Sequence, residues 1–209
     1  MARVIAVTQS STSLGEVESR FQLSRSKDPG FFGEWQQDVQ ISAEDVDSLA
    51  VVYKRLQYHR ADGELLEGAV TLLVASPLLE LAGFYDPPYK LRSEASVEIS
   101  LDDGEEILRG RIDALILQGR LWVLVLEAKK TTIPLRSALP QLLTYLMANP
   151  QPEQPLFGVL TNGDEVLFVK LAQQPAARYD LSRAFSLYTV SNEIRHVFGV
   201  LKTIEKIVR

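Results

Sequence analysis

The chain has 209 residues, of which 46% are hydrophobic and 23% are charged, a balance typical of a single globular domain with its own core. It has no cysteine, which excludes disulfides, thiolate zinc sites and cysteine nucleophiles, and its two histidines are too far apart in sequence to suggest an imidazole-rich metal site. The net charge of −5 counts against tight autonomous binding of duplex DNA, because proteins that grip DNA alone usually present a basic face.

The sequence gives no sign of a membrane segment or a signal peptide. No stretch reaches about 18 consecutive apolar residues, which a membrane-spanning helix requires. The apolar run at the N-terminus is too short for a signal peptide. We therefore expect a cytoplasmic protein that makes no membrane contact.

Residues 1–41 lack long periodicity and predict an N-terminal arm ahead of a single domain over residues 42–209. Phe31, Phe32 and Trp35 cluster within this arm. We expect these aromatic side chains to pack onto the domain or onto a twin subunit in a homodimer. Stacking against nucleic-acid bases is the alternative that the same residues allow.

Two helices are predicted next. A capping box at Ser42–Asp45 opens the first, which runs to about Tyr58 and ends among cations that suit a helix C-terminus or, alternatively, a phosphate-binding edge. The second runs from Glu64 to about Phe84, and Pro77 should kink or split it. Glu67 lies on its polar stripe, so it belongs either to a solvated face or to the acidic cluster described below.

Three antiparallel strands follow, over residues 95–101, 107–117 and 121–126. Asp103-Gly104 and Gln118-Gly119-Arg120 predict the two turns between them. Alternation on the second strand predicts one apolar and one polar face. The apolar face should carry Leu108, Ile112, Ala114 and Ile116, and the polar face Arg109, Arg111 and Asp113.

An acidic pair is expected where the second and third strands meet. Asp113 and Glu127 come close if the strands pair in the right register, and Lys129 projects from the same face as Glu127. Two carboxylates about 4 Å apart repel by roughly 4 kcal/mol at an effective dielectric near 20. Either one takes up a proton or a cation lies between them. A hard divalent ion such as Mg²⁺ suits this pair, and with the lysine it suits phosphodiester hydrolysis.

The remaining elements complete an α/β (α+β) pattern. A helix capped by Ser137 should run to about Asn149 and place Gln141 and Tyr145 on one face. Two strands, over residues 155–160 and 165–171, should form a hairpin around Asn162-Gly163, and a short strand is predicted within residues 185–190. Ser191 is expected to cap a final amphipathic helix.

This order of elements and motifs resembles the PD-(D/E)XK nuclease superfamily, over roughly residues 60–170. It is most similar to the N-terminal nuclease module of type I restriction enzyme R subunits, including a standalone cyanobacterial-type group. The stretches that carry the resemblance, besides Glu67 and Pro77, are Gly110-Arg-Ile-Asp113, Leu126-Glu-Ala-Lys129, Gln141-Leu-Leu-Thr-Tyr145 and Thr161-Asn-Gly163.

The resemblance implies a restriction-endonuclease-like core, a central mixed sheet of about five strands flanked by helices, with additional helices near both termini. It implies a DNA nuclease that uses Mg²⁺, or Mn²⁺ in its place, bound by Asp113 and Glu127 with Glu67 assisting. In the family, the equivalent of Lys129 orients or activates the attacking water, and the equivalents of Gln141 and Tyr145 assist.

Arg109, Arg111 and Lys130 are the expected contacts to DNA, and restriction-modification subunits are the expected protein partners. The chain departs from the pattern in having Ile112 where the motif has proline. No helicase motor follows the core within these residues, so we expect no translocation along DNA. Two alternatives stay open: a non-catalytic or partner-dependent DNA-binding module on a nuclease fold, and a plain sheet edge with a salt bridge from Lys129.

Overall fold

The computed structural model describes residues 3–10, 13–101 and 106–209. These residues form a mixed sheet with helices packed on its faces, which confirms the predicted α/β (α+β) class. The helices are α1 (Val7–Ser10), α2 (Leu14–Arg20), α3 (Ala43–Arg60), α4 (Glu67–Val70), α5 (Ser76–Leu81), α6 (Leu135–Met147) and α7 (Glu193–Val208). The strands are β1 (Arg3–Ala6), β2 (Ser24–Arg25), β3 (Tyr89–Leu101), β4 (Glu106–Gln118), β5 (Leu121–Ala128), β6 (Leu156–Thr161), β7 (Glu165–Ala172), β8 (Arg178–Leu181) and β9 (Phe185–Ser186).

The described sheet has nine strands, rather than the expected five or so, because short edge strands extend the predicted set. The main path runs β1-β4-β5-β6-β7-β8-β2, while β3 pairs with β4 and β9 pairs with β7. Strands β3, β4 and β5 are antiparallel neighbours, and β5 and β6 are parallel. The crossover between β5 and β6 contains α6, as a parallel connection requires.

Both strands from the N-terminal arm join this sheet. β1 pairs with β4 in parallel, and β2 pairs with β8 at the far end of the path. Phe32 is buried, and Phe31 and Trp35 pack against the core, so the aromatic residues of the arm dock onto the domain as the first interpretation predicted.

Two hydrophobic cores lie on opposite sides of the sheet. Val125 packs in one core, with α6, while its neighbours Leu124 and Leu126 pack in the other, with α5 and α7. This alternation is what a central strand covered on both faces requires. Within the described residues, no helix is both long enough and apolar enough to span a membrane.

The prediction that four residues of β4 share one apolar face was wrong. Leu108 and Ile112 pack in the α6-side core, whereas Ala114 and Ile116 pack in the opposite core. The change occurs around Asp113. Before this residue the even-numbered apolar side chains of β4 pack in the α6-side core, and after it they pack in the opposite core. Strict alternation along a flat strand could not predict the change, because a long strand pair bends and twists.

Several predicted boundaries also differ from the structure. The helix expected over residues 64–84 runs from 67 to 81, and a π-helical turn at Thr71–Ala75 precedes Pro77, which lies in the first turn of α5. Ser137 does not cap α6; Pro134 does, and the Ser137 hydroxyl donates to the Pro134 carbonyl.

Near the C-terminus, Asn192 rather than Ser191 is the N-cap of α7, and the predicted strand at 185–190 is only Phe185–Ser186. The strand β8 was not predicted. The expected turns at Gln118–Arg120 and Asn162-Gly163 are present, with Gly119 and Gly163 at positive φ. The expected Asp103-Gly104 turn lies outside the described residues.

Candidate active site

β4 has an interrupted edge, and the candidate site lies at the interruption. On this edge, residues 106–109 of β4 pair with β1, and residues 114–118 pair with β5. Residues 110–113 lie between these two ladders, where β1 and β5 diverge. A cleft of about 520 Å³ opens there. Its lining includes Glu67, Arg109, Arg111, Asp113, Lys129, Gln141 and Tyr145, together with Ala6, Val7, Thr8, Ser96 and Gly110.

Asp113 lines this cleft, and Glu127 is buried directly beside it, behind the cleft wall. The last β4–β5 pair is Ala114 with Leu126, so Asp113 and Glu127 are the next residues in that register. The backbone N–H of Ala128 donates a hydrogen bond of 2.8 Å to Asp113 Oδ2, which fixes the aspartate against the end of β5. The predicted convergence of the two acidic residues is therefore present.

Glu127 is fully buried, with a side-chain exposure of 0%. Its Oε2 accepts from Lys129 Nζ at 3.1 Å and from Gln141 Nε2 at 2.9 Å. Its Oε1 is buried and has no hydrogen-bond partner among the described residues. A buried carboxylate oxygen without a partner is unfavourable, since buried polar atoms normally find one. This oxygen is the one buried carboxylate oxygen of the Asp113–Glu127 pair that lacks a hydrogen bond in the described structure.

Burial and the neighbouring charges set the protonation of the cluster. Desolvation, followed by repulsion from Asp113, raises the pKa of Glu127 to about 8. Desolvation also raises the pKa of Asp113. Burial works against the charge on Lys129, but Glu127, Asp113 and Glu67 outweigh it and raise the pKa of Lys129. The lysine is therefore a cation beside two carboxyl groups whose ionised forms burial disfavours.

Tyr145 connects α6 to β4 beside this cluster. Its hydroxyl oxygen accepts from the backbone N–H of Arg111 and from Gln141 Nε2, both at 3.2 Å. Gly110 permits this close approach, because a Cβ there would lie 2.5 Å from Tyr145 Cε1. Hydrogen bonds that run from Glu127 through Gln141 and Tyr145 to β4 thus link the buried glutamate to the cleft wall.

Glu67, the first residue of α4, also lines the cleft. It is close enough to affect the pKa values of Asp113 and Lys129. However, no three histidine, cysteine, aspartate or glutamate side chains within the described ranges are grouped closely enough to hold a metal ion. Glu67 is exposed where it lines the cleft, which places it at the mouth, and it does not form a three-carboxylate cluster with Asp113 and Glu127.

The predicted DNA contacts are divided between two places. Arg109 and Arg111 line the cleft, and each is paired with a glutamate of β3: Arg109 with Glu98, and Arg111 with Glu94. Lys130 is exposed but does not line the cleft.

The family of the chain follows from its sequence. The family model described as "Type I restriction enzyme R protein N terminus" matches residues 21–176, about three quarters of the chain. The chain belongs to this family. The matched segment of this R-protein N-terminal module contains every candidate site residue from Glu67 to Tyr145.

Among solved structures, this R-protein N-terminal module is similar to a fragment of a putative HsdR subunit of a type I restriction enzyme from Vibrio vulnificus YJ016. The two are 21% identical, with a TM-score of 0.40, and the similarity covers 66% of this chain and 26% of the other. The chain thus corresponds to about a quarter of the length of that chain. A comparison with curated proteins gave no match.

Sequence reasoning missed several residues of the cleft in this R-protein N-terminal module. The wall formed by Ala6, Val7 and Thr8 precedes the matched segment. Glu94 and Glu98 do not line the cleft but pair with its two arginines, and in the sequence they resemble ordinary solvent-facing strand residues. Gly110 did carry a signal, because a glycine inside a strand often marks the close approach of another group.

Proposed function

We propose that this member of the R-protein N-terminal family is a PD-(D/E)XK-type deoxyribonuclease that hydrolyses DNA phosphodiesters with Mg²⁺, or with Mn²⁺ in its place. The observation that carries the proposal is the unpartnered, buried Oε1 of Glu127, which lies beside Asp113 and Lys129, two residues that line an open cleft. DNA is the proposed substrate, and restriction-modification subunits are the proposed protein partners.

The donor set fits a hard divalent cation. Asp113 and Glu127 offer carboxylate oxygens, and Mg²⁺ is commonly held by one or two carboxylates while its other positions are filled by water and substrate phosphate. The repulsion that raises the pKa of Glu127 is what a cation would relieve. Glu67, at the mouth of the cleft, is placed to contact a ligand or water bound there. When bound, the metal would supply Lewis-acid polarisation of the phosphoryl oxygen and an acidified water.

The other side chains have separate roles in the proposed reaction. Lys129 holds a positive charge beside the carboxylates and can stabilise the negative charge that develops on the phosphoryl group. Gln141 holds Glu127 Oε2 in place through its 2.9 Å hydrogen bond. Tyr145 accepts two hydrogen bonds, so its own hydroxyl hydrogen is left to donate to another group in the cleft.

The test compares two neighbouring lysines on supercoiled plasmid DNA, with Mg²⁺, Mn²⁺ or EDTA. Lys129→Met should reduce cleavage at least about a hundredfold, since it removes a charge that acts in the transition state. Lys130→Met is the matched control for the chemical step, because Lys130 is exposed and outside the cleft lining. Its rate at saturating DNA should stay near that of the unmodified chain, and loss of the predicted DNA contact should appear only as a higher KM. A folded Lys129→Met variant that cleaves at the original rate contradicts the role of Lys129.

Metal binding is tested without catalysis. Ca²⁺ or Mg²⁺ should raise the unfolding temperature of the chain, because a ligand that binds only the folded state stabilises it. Asp113→Asn should abolish this rise while the variant remains folded. An equal rise in Asp113→Asn would remove the metal from the proposed site.

A second candidate is a DNA-binding module that acts only with a partner. The pairing of Arg109, Arg111 and Lys129 with carboxylates favours it, as does the net charge of −5. DNA binding measured across salt separates the candidates, because phosphate contacts give a steep salt dependence. No binding at low salt by the chain alone, and binding once partner subunits are added, would support the module.

A further inference from the structure

Two arginines beside the cleft are each held by an exposed glutamate of the neighbouring strand. Arg109 Nε lies 2.6 Å from Glu98 Oε1, and these side chains are 57% and 57% exposed. Arg111 Nη1 lies 3.2 Å from Glu94 Oε2, and these side chains are 65% and 73% exposed. Both pairs are open to solvent, so a ligand can reach all four groups.

The two arginines follow the edge of the cleft away from the catalytic cluster. They are two residues apart on β4, so they share a face and their Cα atoms are about 6.8 Å apart. Two long arginine side chains at this spacing can reach neighbouring phosphates of one strand. One strand lying along β4 could thus place phosphates at both guanidinium groups and continue towards Lys129.

Backbone geometry brings the glutamates to the same place. Glu98 lies directly opposite Arg109 in the β3–β4 ladder. Glu94 lies between Ser93 and Ala95, which pair with Ala114 and Ile112, and it has a positive φ of 50°. This conformation is uncommon for a residue other than glycine, asparagine or aspartate, and it tends to persist where the surroundings impose it. The kink it makes in β3 lies opposite Asp113.

The charges at the cleft do not favour a phosphate backbone in the free protein. Three cations, Arg109, Arg111 and Lys129, face five carboxyl groups, those of Glu67, Glu94, Glu98, Asp113 and Glu127. Exposed ion pairs contribute little to stability, so the two arginine–glutamate pairs can exchange partners readily. A guanidinium group binds a phosphate in the same forked geometry as a carboxylate.

We propose that Arg109 and Arg111 form a phosphate track for one DNA strand, and that Glu94 and Glu98 occupy this track in the free protein until phosphates displace them. The two glutamates therefore set the affinity of the chain for DNA. This inference rests on the proposed function only in taking DNA as the ligand, and it is independent of whether the site cleaves.

The experiment measures binding of a fluorescein-labelled 20-mer, both single-stranded and duplex, in EDTA at several salt concentrations. The doubly substituted chain Glu94→Gln with Glu98→Gln should bind about three- to tenfold more tightly than the unmodified chain, with the largest gain at low salt. The control is Glu153→Gln with Glu44→Gln, which changes the net charge equally at two exposed positions outside the cleft lining. Its affinity should change much less.

A second pair of substitutions shows whether the gain depends on the arginines. In a chain that already carries Arg109→Gln and Arg111→Gln, replacing the two glutamates should not increase the affinity for DNA, because no arginine remains for the glutamates to occupy. Unfolding in urea checks that each variant is folded.

Three results would overturn the inference. Equal affinities of the unmodified and glutamate-substituted chains would show that the carboxylates do not compete with phosphate. Weaker binding of the substituted chain would show that they hold the arginines in place for DNA instead. A failure of every variant to bind either probe would remove DNA from the track. Tighter binding in EDTA, together with no cleavage in the separate plasmid assay with Mg²⁺ or Mn²⁺, would support the inference while counting against the proposed catalysis, so the two proposals fail separately.

Discussion

Thr131 and Leu65 exchange two hydrogen bonds of 3.1 Å, although they lie 66 residues apart in sequence. The Leu65 N–H donates to Thr131 Oγ1, and the Thr131 N–H donates to the Leu65 carbonyl. This pair joins the loop after β5 to the segment before α4. It therefore holds Glu67, at the start of α4, over the cleft whose base is formed by the end of β5.

Replacing Thr131 by valine keeps its shape but removes the acceptor of the Leu65 N–H. The free energy of unfolding in urea should fall by about 1–3 kcal/mol, because a buried donor is left without a partner. Thr131→Ser is the control, since it keeps the hydroxyl oxygen. We also expect faster hydrogen exchange at the Leu65 amide in the valine variant. If the valine and serine variants are equally stable, the Oγ1 bond does not hold the two segments together.

Glu127 should lower the stability of the fold, although it is needed for the proposed metal binding. Glu127→Gln removes the repulsion with Asp113 and keeps an oxygen that can accept from Gln141, so this variant should be as stable as the unmodified chain or more stable by about 1 kcal/mol. The rise in unfolding temperature that Mg²⁺ or Ca²⁺ produces should disappear. Thermal unfolding with and without the cation measures both effects. A large loss of stability would show that the charge of Glu127 is needed for the fold.

Gly110 should tolerate no side chain. The Cβ of Gly110→Ala would lie 2.8 Å from the Tyr145 hydroxyl and 2.9 Å from Val7 Cγ2, so the tyrosine must move. We expect a loss of about 1–3 kcal/mol in stability, as for other overpacked sites, and lower nuclease activity.

The control for Gly110 is Gly15→Ala in α2, where a Cβ would meet nothing within 4 Å. That variant should be as stable as the unmodified chain or slightly more stable, because alanine favours helix. Equal behaviour of the two alanine variants in urea would contradict the close packing of Tyr145 on β4.

Tyr89 should make the fold sensitive to alkali. Burial and then Glu205 raise the pKa of Tyr89 to about 12, from an ordinary value of about 10. The contribution of the protonated Tyr89 phenol to the free energy of unfolding is fully present below pH 10. It is lost as the pH rises towards 12, because the unfolded chain loses the phenol proton first. The loss should amount to about 2 kcal/mol.

The measurement compares urea unfolding of the unmodified chain and of Tyr89→Phe from pH 8 to pH 11.5. The stability of the unmodified chain relative to this variant should decline above pH 10. At pH 8 the variant should be slightly less stable, because it lacks the hydrogen bond from the hydroxyl to the Glu205 carbonyl. A constant difference across this range would mean that the phenol ionises equally in both states.

The strands and helices that carry the site could be predicted because local signals agreed with the fold. Gly119 marked the β4–β5 turn, but the apposition of Asp113 and Glu127 also depends on a register shift between Ile116 and Leu117 that the sequence did not predict. The spacing of Gln141 and Tyr145 placed both on one face of α6, and the structure places both beside Glu127 or β4.

The rest of the cleft depends on contacts that are distant in sequence. The β1–β4 pairing joins residues about 100 positions apart, and nothing in the Arg3–Ala6 segment indicates its partner. The position of Glu94 depends on a kink in β3 that period-two alternation does not predict. Ser137 matched the N-cap preference, yet Pro134 occupies the N-cap position of α6 without a side-chain capping hydrogen bond, a choice that local preference does not predict.

The separation of β1 and β2 in the sheet has a consequence for how the protein is made. These two strands lie at the two ends of the main strand path, where their partners are β4 and β8. Neither strand can pair in the sheet until the ribosome has synthesised its partner strand. β1 therefore waits for β4, about 100 residues later in the chain, and the cleft wall at Ala6–Thr8 cannot be completed before β4 has been synthesised.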